Sequence, residues 1–280
     1  MHVPRLVFSP GEESFLERPE ITSVFFDQIR KTGKSVLIAD YEGTLTSCSI
    51  KGSGYTPYGG ISQKLERLSS LGCRIVLLSK GKVCKVCEKF DNSLPLEIWG
   101  LYGAEKRDPQ GKVTYNGPDP SQEEGLVKAF ELAREILEEE NLELNPLSVK
   151  AFFHKSSPGN TVDLLRELEN SWIHLVPLHG LRLLTYEGHM EILARGFDKG
   201  SALREILSNT GMDIPCCYLG KDITDEEPFN FLWGRGLTAL VNKDHHETSA
   251  HIWLQPPEDL FKFLDDWIWN LENWEIDSRD

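Results

Sequence analysis

The sequence predicts an α/β fold built on a parallel sheet, with a smaller α+β module inserted into it. Two observations carry the sheet: short apolar runs at Val36–Ala39 and Cys73–Leu78 are joined by an amphipathic helix, and similar runs recur at Cys216–Leu219 and Leu237–Val241. Strand, helix and strand within about forty residues form a βαβ unit, and runs apolar throughout suit strands buried on both faces. A third observation gives the insertion. After Asn116 the pattern changes to helices set among several neighbouring strand-like runs.

Residues 1–33 read as a leader and a first helix, with Ile21, Phe25, Phe26 and Ile29 at helical spacing and Gly33 as the stop. The run Val36–Ala39 ends at Asp40, with Gly43 three residues on. In open α/β sheets ligands bind outside the carboxyl ends of the strands, so Asp40 is placed for chemistry; a strand running into an ordinary acidic turn is the alternative. Thr44 offers a hydroxyl and an N–H to an anion. A loop over residues 46–60, rich in Gly, Ser and Tyr, precedes the helix Ile61–Leu71, whose Ile61, Leu65, Leu68 and Leu71 share one face. Cys73–Leu78 then runs into Ser79-Lys80-Gly81-Lys82, where Ser79 is either a helix N-cap or a ligand beside Asp40. Cys84 and Cys87 form a CxxC, but Cys216–Cys217 lies on a predicted strand at the wrong spacing for zinc. The thiols therefore read as buried and reduced. Glu97–Tyr102 is a third strand, ending in Gly103-Ala104-Glu105 with a basic hairpin behind it.

Pro118 and Pro120 mark the break. Ser121 opens a polar helix reaching Glu140, with acids in its first turn where the macrodipole favours them. A strand (Ser148–His154), a helix (Asn160–Ser171) and strand-like runs at Ile173–Leu178, Leu181–Tyr186 and Met190–Ala194 follow. Residues 118–195 form the inserted domain on this reading, and 1–117 with 196–280 form the core. Lys199 stands at the start of the returning helix, and Cys216–Leu219 runs into Gly220-Lys221-Asp222-Ile223-Thr224-Asp225-Glu226. A last helix, Pro257–Asn270, leads to a tail whose Trp267, Trp269 and Trp274 suit packing against the core or a subunit contact.

At 280 residues and 40% hydrophobic content the chain has material for a sizeable core. A net charge of −14 and a pI near 5.1 argue against nucleic acid or an anionic membrane as partner. A phosphate site in such a chain requires a local cation, either a metal or clustered Lys and Arg. No apolar run has signal-peptide or membrane-span length, so the expectation is a soluble, cytoplasmic monomer or small homo-oligomer.

The motifs VLIADYEGTL at 36–45, Ser79 at its strand end, FDKG at 197–200 and GKDITDE at 220–226 resemble those of the haloacid dehalogenase superfamily. GLYGAEKR at 100–107 and GKDITDE narrow the resemblance to its trehalose-6-phosphate phosphatase branch. What this resemblance implies is a Rossmann-like core with an inserted cap domain, and Mg²⁺-dependent hydrolysis of a sugar phosphate through an aspartyl-phosphate. It assigns Asp40 as nucleophile, Glu42 as acid/base and Lys199 as the cation holding nucleophile and phosphate together. Thr44, Ser79, Gly103, Glu105 and Arg195 fall at substrate-binding positions, and Asp40, Glu42, Asp222 and Asp225 around the metal. The chemistry is coherent: a carboxylate can form a covalent phosphoryl intermediate if a second carboxyl group protonates the departing alkoxide.

After Ser79 the Gly and Arg usual in the sugar-phosphatase branch give way to Lys80 and Gly81, and three further positions depart from the pattern. Glu42 stands for an Asp, and its extra methylene moves the proton donor by roughly a bond length, a displacement of a size that can cost about 10²-fold in rate. Leu193 stands where a sugar-contacting Glu precedes Arg195 by two. Lys221 replaces a metal-ligating Asp, so Asp222 or Asp225 takes over ligation, or metal binds weakly, or the lysine substitutes for the ion. The alternatives in function are a catalytically impaired sugar-phosphate-binding or regulatory protein, and a phosphatase for another glycosyl phosphate.

Overall fold

The computed structural model describes residues 19–48, 55–90, 94–153, 161–186 and 188–274. The chain forms two compact units, Met1–Thr114 with Lys199–Asp280, and Tyr115–Asp198. In the first, α1 (Pro19–Thr32) leads into β1 (Ser35–Asp40), followed by a short antiparallel pair, β2 (Thr46–Cys48) and β3 (Tyr55–Pro57). Then come α2 (Ile61–Ser70), β4 (Cys73–Leu78), the short helix α3 (Val83–Cys87), β5 (Glu97–Gly100), β6 (Glu105–Arg107) and β7 (Val113–Tyr115). The second unit holds α4 (Pro120–Ile136), β8 (Leu142–Asn145), β9 (Ser148–Phe152), α5 (Thr161–Ile173), α6 (Leu175–His179), β10 (Leu181–Tyr186) and β11 (His189–Ala194). The first unit resumes with α7 (Lys199–Ser208), β12 (Cys216–Gly220), α8 (Glu226–Leu232), β13 (Leu237–Val241), β14 (Ile252–Leu254) and α9 (Glu258–Glu272).

The large sheet has the order β14-β13-β12-β1-β4-β5-β6-β7, parallel from β14 through β5, with β6 antiparallel to β5. Its central strand is β1, every residue of which is buried. Alternate residues point to opposite faces, as the two-residue period of a strand requires. Leu37, Ala39, Ile75, Leu77, Cys217 and Leu219 join a core with residues of α1, α2 and α9, while Val36, Ile38, Val76, Leu78 and Tyr218 join Leu203, Ile206, Phe229 and Leu232 of α7 and α8. Helices on both faces explain why these strands read as unbroken apolar runs.

The second unit is built on the antiparallel sheet β10-β11-β9-β8, with Leu126 and Ala129 of α4 and Leu168 and Trp172 of α5 packed on Val149, Ala151, Met190 and Ile192. Asp119 caps α4 through the backbone N–H groups of Ser121 and Gln122, and the Gln122 side chain accepts from the Asp119 N–H in return. Pro120 at the first helical position loses no hydrogen bond there, which is why the proline break is also a helix start.

Several expectations are corrected. The run 173–178 is helical: Ile173 ends α5, and Pro177 lies early in α6, where its missing N–H has no intrahelical partner to lose, whereas it would interrupt a strand ladder. The third strand stops at Gly100, because Leu101 and Tyr102 take left-handed backbone angles in a tight turn. The polar helix ends at Ile136 rather than Glu140. Cys84 is exposed and Cys87 half-buried on the single-turn α3, while Cys73, Cys216 and Cys217 are buried. Of the tryptophans, Trp267 enters the core and Trp269 is 57% exposed. Residues 1–18 of the leader, His154, Asn160 and Glu187 lie outside the described residues. Among the described residues no helix is long and apolar enough to cross a membrane.

Trp267 fixes α9 to the sheet. It packs edge-on against Phe25 and Phe263, and its indole N–H donates to Ser35 Oγ at 3.0 Å. Trp267→Ala removes that packing and the hydrogen bond to the buried Ser35 hydroxyl, so we expect a loss of about 3–5 kcal/mol of unfolding free energy. Urea denaturation measures it, and a cost below about 1 kcal/mol would contradict this account of the core.

Candidate active site

Three parallel strands end side by side at one edge of the large sheet. Asp40 of β1 lies opposite Leu78 of β4, and Ala39 lies opposite Leu219 of β12. Asp40, Ser79 and Lys221 therefore emerge from adjacent strand ends. Chain order also reverses here, β4 being placed on one side of β1 and β12 on the other, which opens the crevice where α/β sheets take their ligands.

The start of α7 brings Lys199 to this edge. Its Nζ lies 2.7 Å from Asp40 Oδ1 and 2.7 Å from Asp225 Oδ1. All three residues are buried. Asp225 is held from every side: Tyr218 donates its hydroxyl to Oδ1 at 2.6 Å, and the backbone N–H groups of Lys221 and Asp222 donate to Oδ2 at 2.8 and 3.1 Å. The fold-back that allows this depends on Gly220, because a Cβ there would lie 2.5 Å from Asp225 Cβ. Asp40 is held less fully. Thr44 donates its hydroxyl to Oδ2 at 3.0 Å, but Oδ1 faces Lys199 without an aligned hydrogen bond from any described residue.

Glu42 is half-buried and turned toward the end of β4, where Oε1 accepts from the Ser79 hydroxyl and Oε2 accepts from the Lys80 N–H at 3.3 Å. Lys80 Nζ reaches Asp222 Oδ2 at 3.2 Å, and Asp222 Oδ1 accepts from the Thr224 N–H and hydroxyl. Thus Asp40, Glu42, Thr44, Ser79, Lys199, Asp222 and Asp225 form one connected group.

The other expected residues are placed differently. Glu105 accepts from the Val83 N–H at 2.7 Å and so holds the start of α3. Gly103 sits in the turn after β5, close to Ala202 of α7. Arg195 belongs to the second unit, where its Nε–H donates to the Leu181 carbonyl at 2.9 Å. Leu193 is buried on β11, and the neighbouring Glu191 is buried against the Ser148 hydroxyl. Tyr218 escaped the sequence reading. Its signal was a phenol in an otherwise apolar run, two positions before the motif that starts at Gly220.

Burial, then the charge of Asp225, push the Asp40 carboxyl up from 3.8 to about 7, against the opposing pull of Lys199. Desolvation works against the Lys199 ammonium too, but Asp40 and Asp225 outweigh it and hold its pKa above the ordinary lysine value. Burial likewise opposes the charge on Asp222, yet Lys199, Lys80 and the Thr224 hydrogen bonds hold that carboxyl well below the usual range.

A buried strand-end carboxylate clamped by a lysine from a later helix accords with a phosphoric monoester hydrolase, and the fold is shared with haloacid dehalogenase-like hydrolases. Within that class the chain belongs to the trehalose-phosphatase family, whose model matches residues 38–252. It is 26% identical to probable trehalose-phosphate phosphatase C of Arabidopsis thaliana, over 86% of this chain and 79% of that protein. With probable trehalose-phosphate phosphatase H of the same plant it shares 32% identity over 44% of this chain, a match that spans only 36% of the relative. The fold is also that of Aspergillus fumigatus trehalose-6-phosphate phosphatase, with a TM-score of 0.73 and 17% identity over 88% of this chain and 96% of that one.

Phosphatases of this superfamily generally use Mg²⁺, which asks for near-octahedral oxygen ligands at short range. The residues present do not offer that set. Among the described residues no three carboxylate, imidazole or thiol side chains are grouped to hold a metal ion. The four carboxylates expected around the ion are committed to protein donors: Asp225 to four of them, Asp222 to Lys80 and Thr224, Glu42 to Ser79 and Lys80, and Asp40 to Lys199 and Thr44.

The upward shift of Asp40 has a measurable sign. A carboxyl that titrates at about 7 when folded and near 3.8 when unfolded keeps its proton longer in the folded state, so its ionisation costs stability as pH rises between those values. Asp40→Asn removes that cost. The difference in melting temperature between variant and wild type should move in the variant's favour from pH 4 to about 7 and then level. A margin that shrinks with rising pH in a thermal-melt series would overturn the assignment of the shift.

Proposed function

We propose that the chain is a sugar-phosphate phosphatase and that Asp40 Oδ1 attacks phosphorus. The observation that carries this reading is the Asp40–Lys199–Asp225 cluster, with one nucleophile oxygen buried, next to an ammonium and lacking an aligned hydrogen bond. In the first step the Asp40 O–P bond forms and the P–O bond to the sugar breaks, while Glu42 gives a proton to the departing alkoxide. In the second step water attacks phosphorus, its proton passes to Glu42, and the Asp40 O–P bond breaks. Lys199 faces the negative charge on both sides of each step, and an ammonium within about 4 Å of two anions is worth most where water is excluded. Asp225, Tyr218 and the two backbone N–H groups fix where that ammonium sits. Thr44 keeps the Asp40 carboxylate in one orientation, and Ser79 does the same for Glu42.

Trehalose 6-phosphate is the substrate this reading favours, by the chain's family and the relatives it matches. A second reading, a sugar-phosphate-binding or regulatory protein, is favoured by one observation: Glu42 is engaged by Ser79 and Lys80 rather than left free to give a proton. A phosphate-release screen over sugar phosphates, trehalose 6-phosphate included and with and without Mg²⁺, separates the two. The phosphatase releases phosphate from at least one ester, and Asp40→Ala lowers the rate by about 10³-fold or more while leaving the melting transition cooperative. Wild-type rates in Asp40→Ala, or no release from any ester, would exclude it.

A further inference from the structure

Lys221 occupies a place that its sequence neighbours do not explain. It follows the last residue of β12, beside the end of β1, and its backbone is fixed by the Asp225 carboxylate and by Asn242 Nδ2–H at 3.3 Å from its carbonyl. Its side chain runs across the turn after Asp40. A Cβ on Gly43 would lie 2.6 Å from Lys221 Nζ and 2.8 Å from its Cδ, so only glycine leaves the lysine this path. The three lysines of the site also differ in their partners. Lys199 faces Asp40 and Asp225, Lys80 faces Asp222, and among the described residues no carboxylate lies within ion-pair distance of Lys221 Nζ. One ammonium at this sheet edge is therefore uncommitted, whereas each of the four carboxylates has at least one protein partner.

We propose that the Lys221 ammonium is the resident cation of the site, pairing with the phosphoryl oxygens of the ligand so that phosphate binds without a divalent metal. The class of ligand rests on the phosphatase reading above. The charge balance supports the assignment. Four carboxylates (Asp40, Glu42, Asp222, Asp225) face three ammonium groups (Lys80, Lys199, Lys221). Exchanging Lys221 for Asp would subtract two units of charge, the amount a divalent cation carries. A lysine already supplies positive charge there, without the dehydration that Mg²⁺ resists.

The test uses the whole chain after dialysis against EDTA, with inorganic phosphate and Mg²⁺ as probes in calorimetry and thermal melts. Wild type should bind phosphate with an affinity that changes less than about twofold on adding Mg²⁺, and should show no saturable Mg²⁺ binding of its own. Lys221→Ala should weaken phosphate binding at least about tenfold, Lys221→Arg should retain most of it, and Lys221→Asp should gain Mg²⁺ binding and make phosphate binding depend on it. Saturable Mg²⁺ binding by wild type, phosphate binding that EDTA abolishes, or unchanged phosphate affinity in Lys221→Ala would overturn the proposal. Turnover separates it from the broader reading. Metal-independent phosphate binding with no ester hydrolysed would leave Lys221 as the resident cation and remove the phosphatase; hydrolysis only with Mg²⁺ would do the reverse.

Discussion

The structure of the first unit turns on a single ammonium shared between two buried carboxylates. Lys199, Asp40 and Asp225 come from three distant parts of the chain, and each is almost fully withdrawn from water. Burying an isolated charge is costly, and the cost is met here only because the three lie together and Asp225 also takes hydrogen bonds from Tyr218 and two backbone N–H groups. The arrangement fixes the sheet edge as much as it serves chemistry. β1, β12 and α7 must all stand in register for the lysine to reach both acids, so packing of the apolar strands and placement of the charged group specify one another.

Around that centre the site divides into committed and uncommitted groups. Asp225 is surrounded by protein donors, and the partly exposed Asp222 is engaged by Lys80 and Thr224. Asp40 is the exception among the acids, since one of its oxygens lacks an aligned donor. Lys221 is the exception among the bases. These two exceptions emerge from neighbouring strand ends, where the proposed reaction would use a nucleophile and a counter-charge together.

Much of this was legible in the residues. The apolar runs at Val36–Ala39, Cys73–Leu78, Cys216–Leu219 and Leu237–Val241 could be assigned to a buried parallel sheet because both of its faces are covered, which leaves no polar alternation to confuse the period. Asp40 and Lys199 stood out by position. The run 173–178 was misread because short apolar stretches carry no clear period, and the informative residue was Pro177. Gly100 closed a strand that the composition extended to Tyr102, since no propensity announces left-handed angles at Leu101 and Tyr102. Cys84 was taken as buried from its residue type, but a single-turn helix has too little surface to bury every thiol on it. The partners of Glu42 and Glu105 depend on where side chains from different elements end up, and no local pattern encodes that.

The first unit is discontinuous in sequence, interrupted between Thr114 and Lys199 by the whole of the second. During synthesis, the strand carrying Asp40 emerges long before the lysine that compensates it, and β12 and β13 follow later still. The nascent sheet must therefore wait, with its central strand open on one edge and its acid still hydrated, while a contiguous stretch able to form its own antiparallel core leaves the ribosome first. Closure then demands contacts of large sequence separation, which places this unit among slowly folding topologies and makes the interval before α7 arrives the time of greatest exposure to aggregation.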